Sequence, residues 1–282
     1  APALRGAPAL PPIQFLTLCP HELDALEAQL DASGRWANQR RPSDDATQSG
    51  TYHIDPTLAF FETVLKPALA RDGASKFFVV FPDAGAFARL RGMARSTLPG
   101  LPTSHILYIP KKRVGSKIVH EEVFYYLDEA GERQAATLPF PSGASFTMPD
   151  DFTASGSSAF GAAQIIRRHA EPGAFVRAFF CHFILDRDPS RVPGFLGKVY
   201  GADALLDEFH CSDSVFEIVE CLKSEAAKRV GAGRPQKVFI LSSAPTIAEW
   251  IRSNPVRERN QWRNGLVVGI VAAACVVWLK WR

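Results

Sequence analysis

From Thr51 onward the chain alternates short apolar runs with amphipathic stretches. Residues 76–81 (KFFVVF) form a continuous apolar run of the kind that fills a buried parallel strand. Further strands are predicted at 105–109, 119–127, 174–185, 206–211 and 237–241, and a short one opens the stretch 145–170. Helical spacing predicts helices at 86–96, 159–169, 214–230 and 245–253, and a helix-like stretch ending near Ala70 follows TYHIDPTLAFFETVL. Strands alternating with helices imply an α/β fold with a mostly parallel sheet. Such sheets hold ligands at the carboxyl ends of their strands, where both PDAGAFAR and PDDFTASGSS fall.

The second of these loops organises the chain. Residues 145–170, SFTMPDDFTASGSSAFGAAQIIRRHA, read as a strand, two adjacent carboxylates, a loop of small hydroxyl and glycine residues, and a helix. That loop aims several backbone N–H groups into one concavity, and the helix adds the positive end of its dipole. Such a nest suits a phosphate. Asp150 and Asp151, just before it, are placed to accept hydrogen bonds from neutral hydroxyls, so a sugar phosphate suits the pair better than a free nucleotide. The plain alternative is a strand, a polar turn and a helix with no ligand.

Composition narrows the rest. Hydrophobic residues make up 46% of 282, enough for a substantial core, and the formal net charge is +3. The charge is uneven: Arg252, Arg257, Arg259, Arg263, Lys280 and Arg282 face only Glu258 over residues 252–282, leaving 26 basic and 28 acidic groups elsewhere. The globular part therefore offers no bulk attraction for nucleic acid. The five cysteines show no CxxC spacing, which points to a reducing compartment.

Residues 1–50 read as an irregular segment, Pro/Ala-rich over 1–12, with one short amphipathic helix at 20–30 and a polar linker at 40–50. At the other end a basic linker, 254–264, precedes the uncharged run GLVVGIVAAACVVWL at 265–279. As a helix this run spans roughly 22 Å at 1.5 Å per residue, short of a hydrocarbon core of about 30 Å. Trp262 and Trp281 as interfacial anchors, with snorkelling basic side chains, lengthen its reach. A transmembrane tail anchor over 265–281 is the expectation, with the globular part cytosolic and the mitochondrial outer membrane as the suited membrane; a buried terminal helix in an oligomer is the alternative.

Several segments carry a family resemblance. DDFTASGSS resembles the binding loop of type I phosphoribosyltransferases, with Ser157 in place of a second glycine. FPDAGAFARL is similar to the SPDAGG-type loop of ribose-phosphate diphosphokinases, and nearer still to the FPDDGAWKRF form of the plant-type branch. TYHIDPTLAFF resembles that family's DLHA-x6-FF segment, with His53, Phe60 and Phe61 at the matching positions. YIPKKRVGSKI sits where the family has a mobile basic loop, FHCSDSV resembles a later TNT/TDS turn, and KVFILSSAPTIAEWI the final strand and helix. The likeness to the diphosphokinases runs over residues 51–253 as five short segments in order.

The resemblance implies a type I phosphoribosyltransferase-like domain over 51–253, magnesium, ATP as substrate, and transfer of diphosphate from ATP to the C1 hydroxyl of ribose 5-phosphate. It implies ribose 5-phosphate on Asp150, Asp151, Ser155, Gly156, Ser157 and Ser158, and diphosphate or ATP on Asp83, Ala84 and Gly85. It assigns His53 and Asp83 to the metal, and Lys111, Lys112 and Arg113 to catalysis. Without it, His53 reads equally as a core or capping histidine and the basic cluster as a solvated loop. Homo- or hetero-oligomers with other synthetase subunits are the implied partners. About 50 residues precede Thr51, too few for the first of the two similar domains such synthetases carry, and that stretch reads as a possible remnant of it. A catalytically incomplete regulatory subunit and a phosphoribosyltransferase that consumes phosphoribosyl diphosphate therefore remain open beside the synthetase.

Overall fold

The computed structural model describes residues 14–18, 50–114, 117–245 and 269–272. They belong to two compact units, Ala1–Asp55 with Ser243–Arg282, and Pro56–Ser242.

In the first unit, β1 (Gln14–Leu18) pairs in parallel with β2 (Gly50–Ile54) on one side and with β13 (Gly269–Ala272) on the other. Two expectations change here. Residues 14–18 are a strand inside a segment that reads as irregular. Residues 269–272, inside the expected membrane helix, are a strand whose backbone bonds to β1 instead of to itself. Among the described residues no helix is long and apolar enough to cross a membrane. The rest of 265–281, the helix expected at 20–30, the basic linker 254–264 and nearly all of the helix expected at 245–253 lie outside the described residues.

The second unit opens with α1 (Pro56–Phe60), a π-helical turn (Phe61–Leu65) and α2 (Lys66–Asp72). There follow β3 (Phe77–Phe81), α3 (Ala84–Thr97) and β4 (Ile106–Tyr108). A hairpin of β5 (Lys111–Val114) and β6 (Lys117–His120) comes next, then β7 (Tyr125–Leu127) and β8 (Arg133–Ala135). The second half alternates regularly: β9 (Ser145–Thr153), α4 (Ser157–His169), β10 (Phe175–Phe183), α5 (Val192–Tyr200), β11 (Glu208–Ser212), α6 (Phe216–Gly231) and β12 (Val238–Leu241).

These strands form one eight-stranded sheet in the order β12-β11-β10-β9-β3-β4-β7-β8, parallel except for β7 and β8 at one edge. Numbered in chain order, the six parallel strands run 2-1-3-4-5-6. The winding therefore reverses between β3 and β9, and a crevice opens at their carboxyl ends.

Register explains the long apolar runs. Phe78 lies opposite Phe146, which lies opposite Val176; Met148 lies opposite Ala178. These side chains share one core with Ala159, Ala162, Ala163 and Ile166 of α4, Phe195 and Leu196 of α5, and Ile218 and Leu222 of α6. The other face holds Phe179, stacked on Phe60 of α1 at 4.2 Å, and Phe81, edge-on to Phe87 of α3 at 5.8 Å. With helices on both faces every residue of β3 is buried, so no polar alternation survives in its sequence. A cation also enters this interior. Arg177, 3% exposed, donates to Glu208, which also accepts from His210.

Two elements differ from the sequence expectation for local reasons. The strand expected over 119–127 is two strands, β6 closing a hairpin and β7 joining the sheet edge. Helix α5 was not expected, because its VPGFLGKVY carries Pro193, Gly194 and Gly197. The proline sits in the first turn, where a missing N–H costs nothing, and burial of Val192, Phe195, Leu196, Val199 and Tyr200 stabilises the rest.

Candidate functional site

A cavity of about 330 Å³ lies at the crevice between β3 and β9. Asp83, Arg89, Lys111, Asp150, Asp151 and residues 152–155, 157 and 158 line it. Three loops of separate sequence origin thus meet at one place.

The first follows β3. Asp83 is extended, and its Oδ1 accepts from the Ala86 N–H at 2.8 Å, so it caps α3. Lys111 Nζ donates to Asp83 Oδ2 at 2.8 Å and to Ser158 Oγ at 3.0 Å, tying the basic hairpin to both loops. Burial alone would raise the Asp83 carboxyl. Hydrogen bonds from Lys111 and Ala86, with the charges of Lys111 and Arg89, outweigh it and hold the group below the ordinary range. Gly85 leaves space one turn before Arg89: a Cβ there would come within 3.2 Å of Asp83 Oδ1 and 3.4 Å of Arg89 Nη1.

The second is the end of β9. Asp150 and Asp151 are buried, at 6% and 4% exposure. The Asp151 N–H donates to Asp150 Oδ1 at 2.9 Å, and the Phe152 N–H to Asp151 Oδ1 at 2.8 Å. Arg89 forms an ion pair with Asp151 Oδ2. Burial first, then the charge and hydrogen bond of Asp151, push the Asp150 carboxyl well above the ordinary range. Asp150 therefore tends to keep its proton while Asp151 stays with its cation, which gives one donor and one acceptor side by side.

This asymmetry makes a test. A carboxyl raised in the folded state contributes stability that is complete below its unfolded value, near 4, and lost as pH climbs through the folded value. Asp150→Asn keeps the oxygen that accepts from Asp151 and removes the titration. Its melting temperature should match the wild type's below pH 4 and rise relative to it as pH climbs to 8. A constant difference across that range, measured by thermal unfolding, would refute the assignment.

The third loop is Ala154–Ser158. Gly156 takes the left-handed conformation at φ +76°, and its N–H donates to Thr153 Oγ1 at 2.7 Å. The Ser157 N–H donates to Ser155 Oγ at 3.3 Å, and the first helical backbone bond runs from the Phe160 N–H to the Gly156 carbonyl at 3.0 Å. The N–H groups of Ser158 and Ala159 meet no acceptor among the described residues, and Ser155, Ser157 and Ser158 line the cavity. Small residues in this loop let the backbone itself face the cavity.

The structure thus brings together Asp83, Lys111, Asp150, Asp151, Ser155, Ser157 and Ser158, with Gly156 setting the turn and Ala84 and Gly85 opening α3. Lys112 is paired with Glu121 and does not line the cavity. The side chains of Arg113 and His53 lie outside the described residues, and His53 belongs to the other unit.

Arg89 was missed in the sequence; its signal was the i, i+4 spacing from Gly85 on a helix that starts at the loop. His120 was missed too. It lies opposite Lys111 in the hairpin, and a Cβ on Gly161 of α4 would come within 3.1 Å of its Nε2. Burial first, then the Lys111 charge, push it down to about 4, so it is neutral at neutral pH.

Magnesium usually takes one or two carboxylates and keeps several waters. Asp83 Oδ1 caps a helix and Oδ2 holds Lys111, and Asp151 holds Arg89, so a magnesium ion here would displace Lys111 or Arg89.

No protein-family model and no curated protein match the chain. Among solved structures it is similar to the crystal structure of phosphoribosylpyrophosphate synthetase from Mycobacterium smegmatis, at 19% identity and a TM-score of 0.47. The likeness covers 86% of this chain and 63% of that one, so the chain spans less than two thirds of the synthetase.

Proposed function

We propose that the Pro56–Ser242 unit binds a sugar phosphate, ribose 5-phosphate being the compound its loops suit. The observation that carries this reading is the meeting, at the reversal of strand order, of an amide-and-hydroxyl nest with a pair of buried acids. The phosphate occupies the nest at the start of α4, taking the N–H groups of Ser158 and Ala159 and the hydroxyls of Ser155, Ser157 and Ser158. Asp150, whose carboxyl burial pushes towards the proton-bearing form, and Asp151, paired with Arg89, take the sugar hydroxyls, one donating and one accepting. Lys111, already on Ser158, adds its charge to the phosphate.

Ribose 5-phosphate should bind the full chain in isothermal titration, and free ribose should bind at least about 100-fold more weakly, since charge-assisted bonds contribute about 1.5–3 kcal/mol each. Asp151→Asn should weaken it about tenfold or more, because a charge-assisted acceptor becomes a neutral one. Equal affinity for ribose and ribose 5-phosphate would refute the nest.

Within this reading the resemblance to ribose-phosphate diphosphokinases, and to the type I phosphoribosyltransferase fold, supports a protein of that kind. Both oxygens of Asp83 being engaged favours a ligand-binding, regulatory subunit over a synthetase that works alone. AMP release from ATP and ribose 5-phosphate under saturating magnesium, by this chain alone, would establish the synthetase instead.

A further inference from the structure

The hairpin of β5 and β6 carries Lys111 to the cavity, so whatever holds the hairpin decides where that cation stands. Among the described residues its strands pair with each other and not with the eight-stranded sheet. A two-stranded hairpin is marginally stable at best by itself and needs something to pack on. Glu122, just after β6, pairs with Arg168 of α4, but both side chains are half exposed and such surface pairs contribute little. His120 reaches the same helix. A Cβ on Gly161 would lie 3.0 Å from its Cδ2 and 3.1 Å from its Nε2, so the ring fills the space that the glycine leaves on α4. Its Nδ1 is buried without a hydrogen-bond partner among the described residues, so the ring sits there by its fit against the helix.

We propose that His120 is a positioning residue: seated at Gly161, it fixes the hairpin on α4 and so places Lys111 over the nest. Lys111 and His120 are directly opposite in the register. Residues paired in this way project from the same face of the ribbon, with about 4.5–5.5 Å between Cβ atoms, so seating one places the other. Gly161 lies about one helical turn after Ser158, whose Oγ accepts from Lys111 Nζ at 3.0 Å. The ring therefore meets α4 beside the group that the cation reaches. A glycine inside a helix weakens it relative to alanine, and here it makes room for the ring. What Lys111 does at a phosphate rests on the sugar-phosphate reading; the seating of the hairpin does not.

Two measurements on the full chain test this. Hydrogen exchange read by mass spectrometry follows the hairpin without any ligand. His120→Ala should speed exchange of the β5 and β6 amides about tenfold or more. Gly161→Ala should speed it too, although alanine favours the helix, because the methyl displaces the ring. In isothermal titration His120→Ala should weaken ribose 5-phosphate about tenfold, as Lys111→Met does, since each removes the charge-assisted bond of that cation. Added to Lys111→Met, His120→Ala should cost less than about twofold, which a structural role alone would not produce. Hairpin exchange unchanged by both variants, or an equal loss of affinity from His120→Ala with and without Lys111, overturns the proposal. A wild type that binds no ribose 5-phosphate overturns the sugar-phosphate reading instead, and the exchange rates alone then decide whether His120 seats the hairpin.

Discussion

Gly156→Ala is expected to cost about 2–5 kcal/mol of stability and to spoil the nest at the same time. The residue sits at φ +76°, where an L side chain pays about 1–2 kcal/mol. The new methyl would lie 2.8 Å from Phe195 Cε2 and 3.0 Å from Phe160 Cε2. Phe195 cannot step aside: it is 5% exposed and packs against Phe183 and Phe209 at 4.7 and 4.9 Å between ring centres. Relief must come from the loop, which would turn Ser157 and Ser158 away from the cavity. Gly173 supplies the control, since it has φ +84° but nothing within 4 Å of a Cβ. Gly173→Ala should cost only the backbone part, about 1–2 kcal/mol. Urea midpoints of the two variants separate strain from clash. If Gly156→Ala is no worse than Gly173→Ala, the close packing of the loop on α5 is wrong.

The same glycine shows what a sequence can and cannot say. A strand followed by two acids and a run of Thr, Ser and Gly announces a nest, because local backbone chemistry decides it. The buried strands were legible for the same reason: Phe77–Phe81 is apolar throughout. What Gly156 touches was not legible, since Phe195 belongs to a helix 36 residues later that its own Pro and Gly content disguises. The cations obey the same rule. Lys111 lies 28 residues from Asp83 and 47 from Ser158, and only the register of the fold brings it to both. Its neighbour Lys112 looks identical in the sequence, yet alternation along β5 turns it to Glu121. The apolar run at 265–279 carries a hydropathy signal that a helix and a strand both satisfy; Gly269–Ala272 is a strand through pairing with β1, far away in sequence.

The other large effect concerns the cation that no motif announced. Arg89→Ala should destabilise the protein by about 2–3 kcal/mol at neutral pH. The Asp151 side chain is 6% exposed and lies next to a second buried acid, and Arg89 is the cation α3 presents to it. Stripping the partner from a fully buried charge costs about 3–5 kcal/mol; Arg89 is 47% exposed, so water entering behind it reduces that figure. Arg89→Lys keeps the charge but loses the planar fork, and should recover only part of the loss. The decisive variant is the double one. Asp151→Asn removes the charge that Arg89 neutralises, so Arg89→Ala added to it should cost less than about 0.5 kcal/mol, leaving an interaction energy of at least about 1.5 kcal/mol. Additive costs in chemical denaturation would show that Arg89 does not hold Asp151. The division of roles between the two acids, one held by a cation and one not, would fail with it.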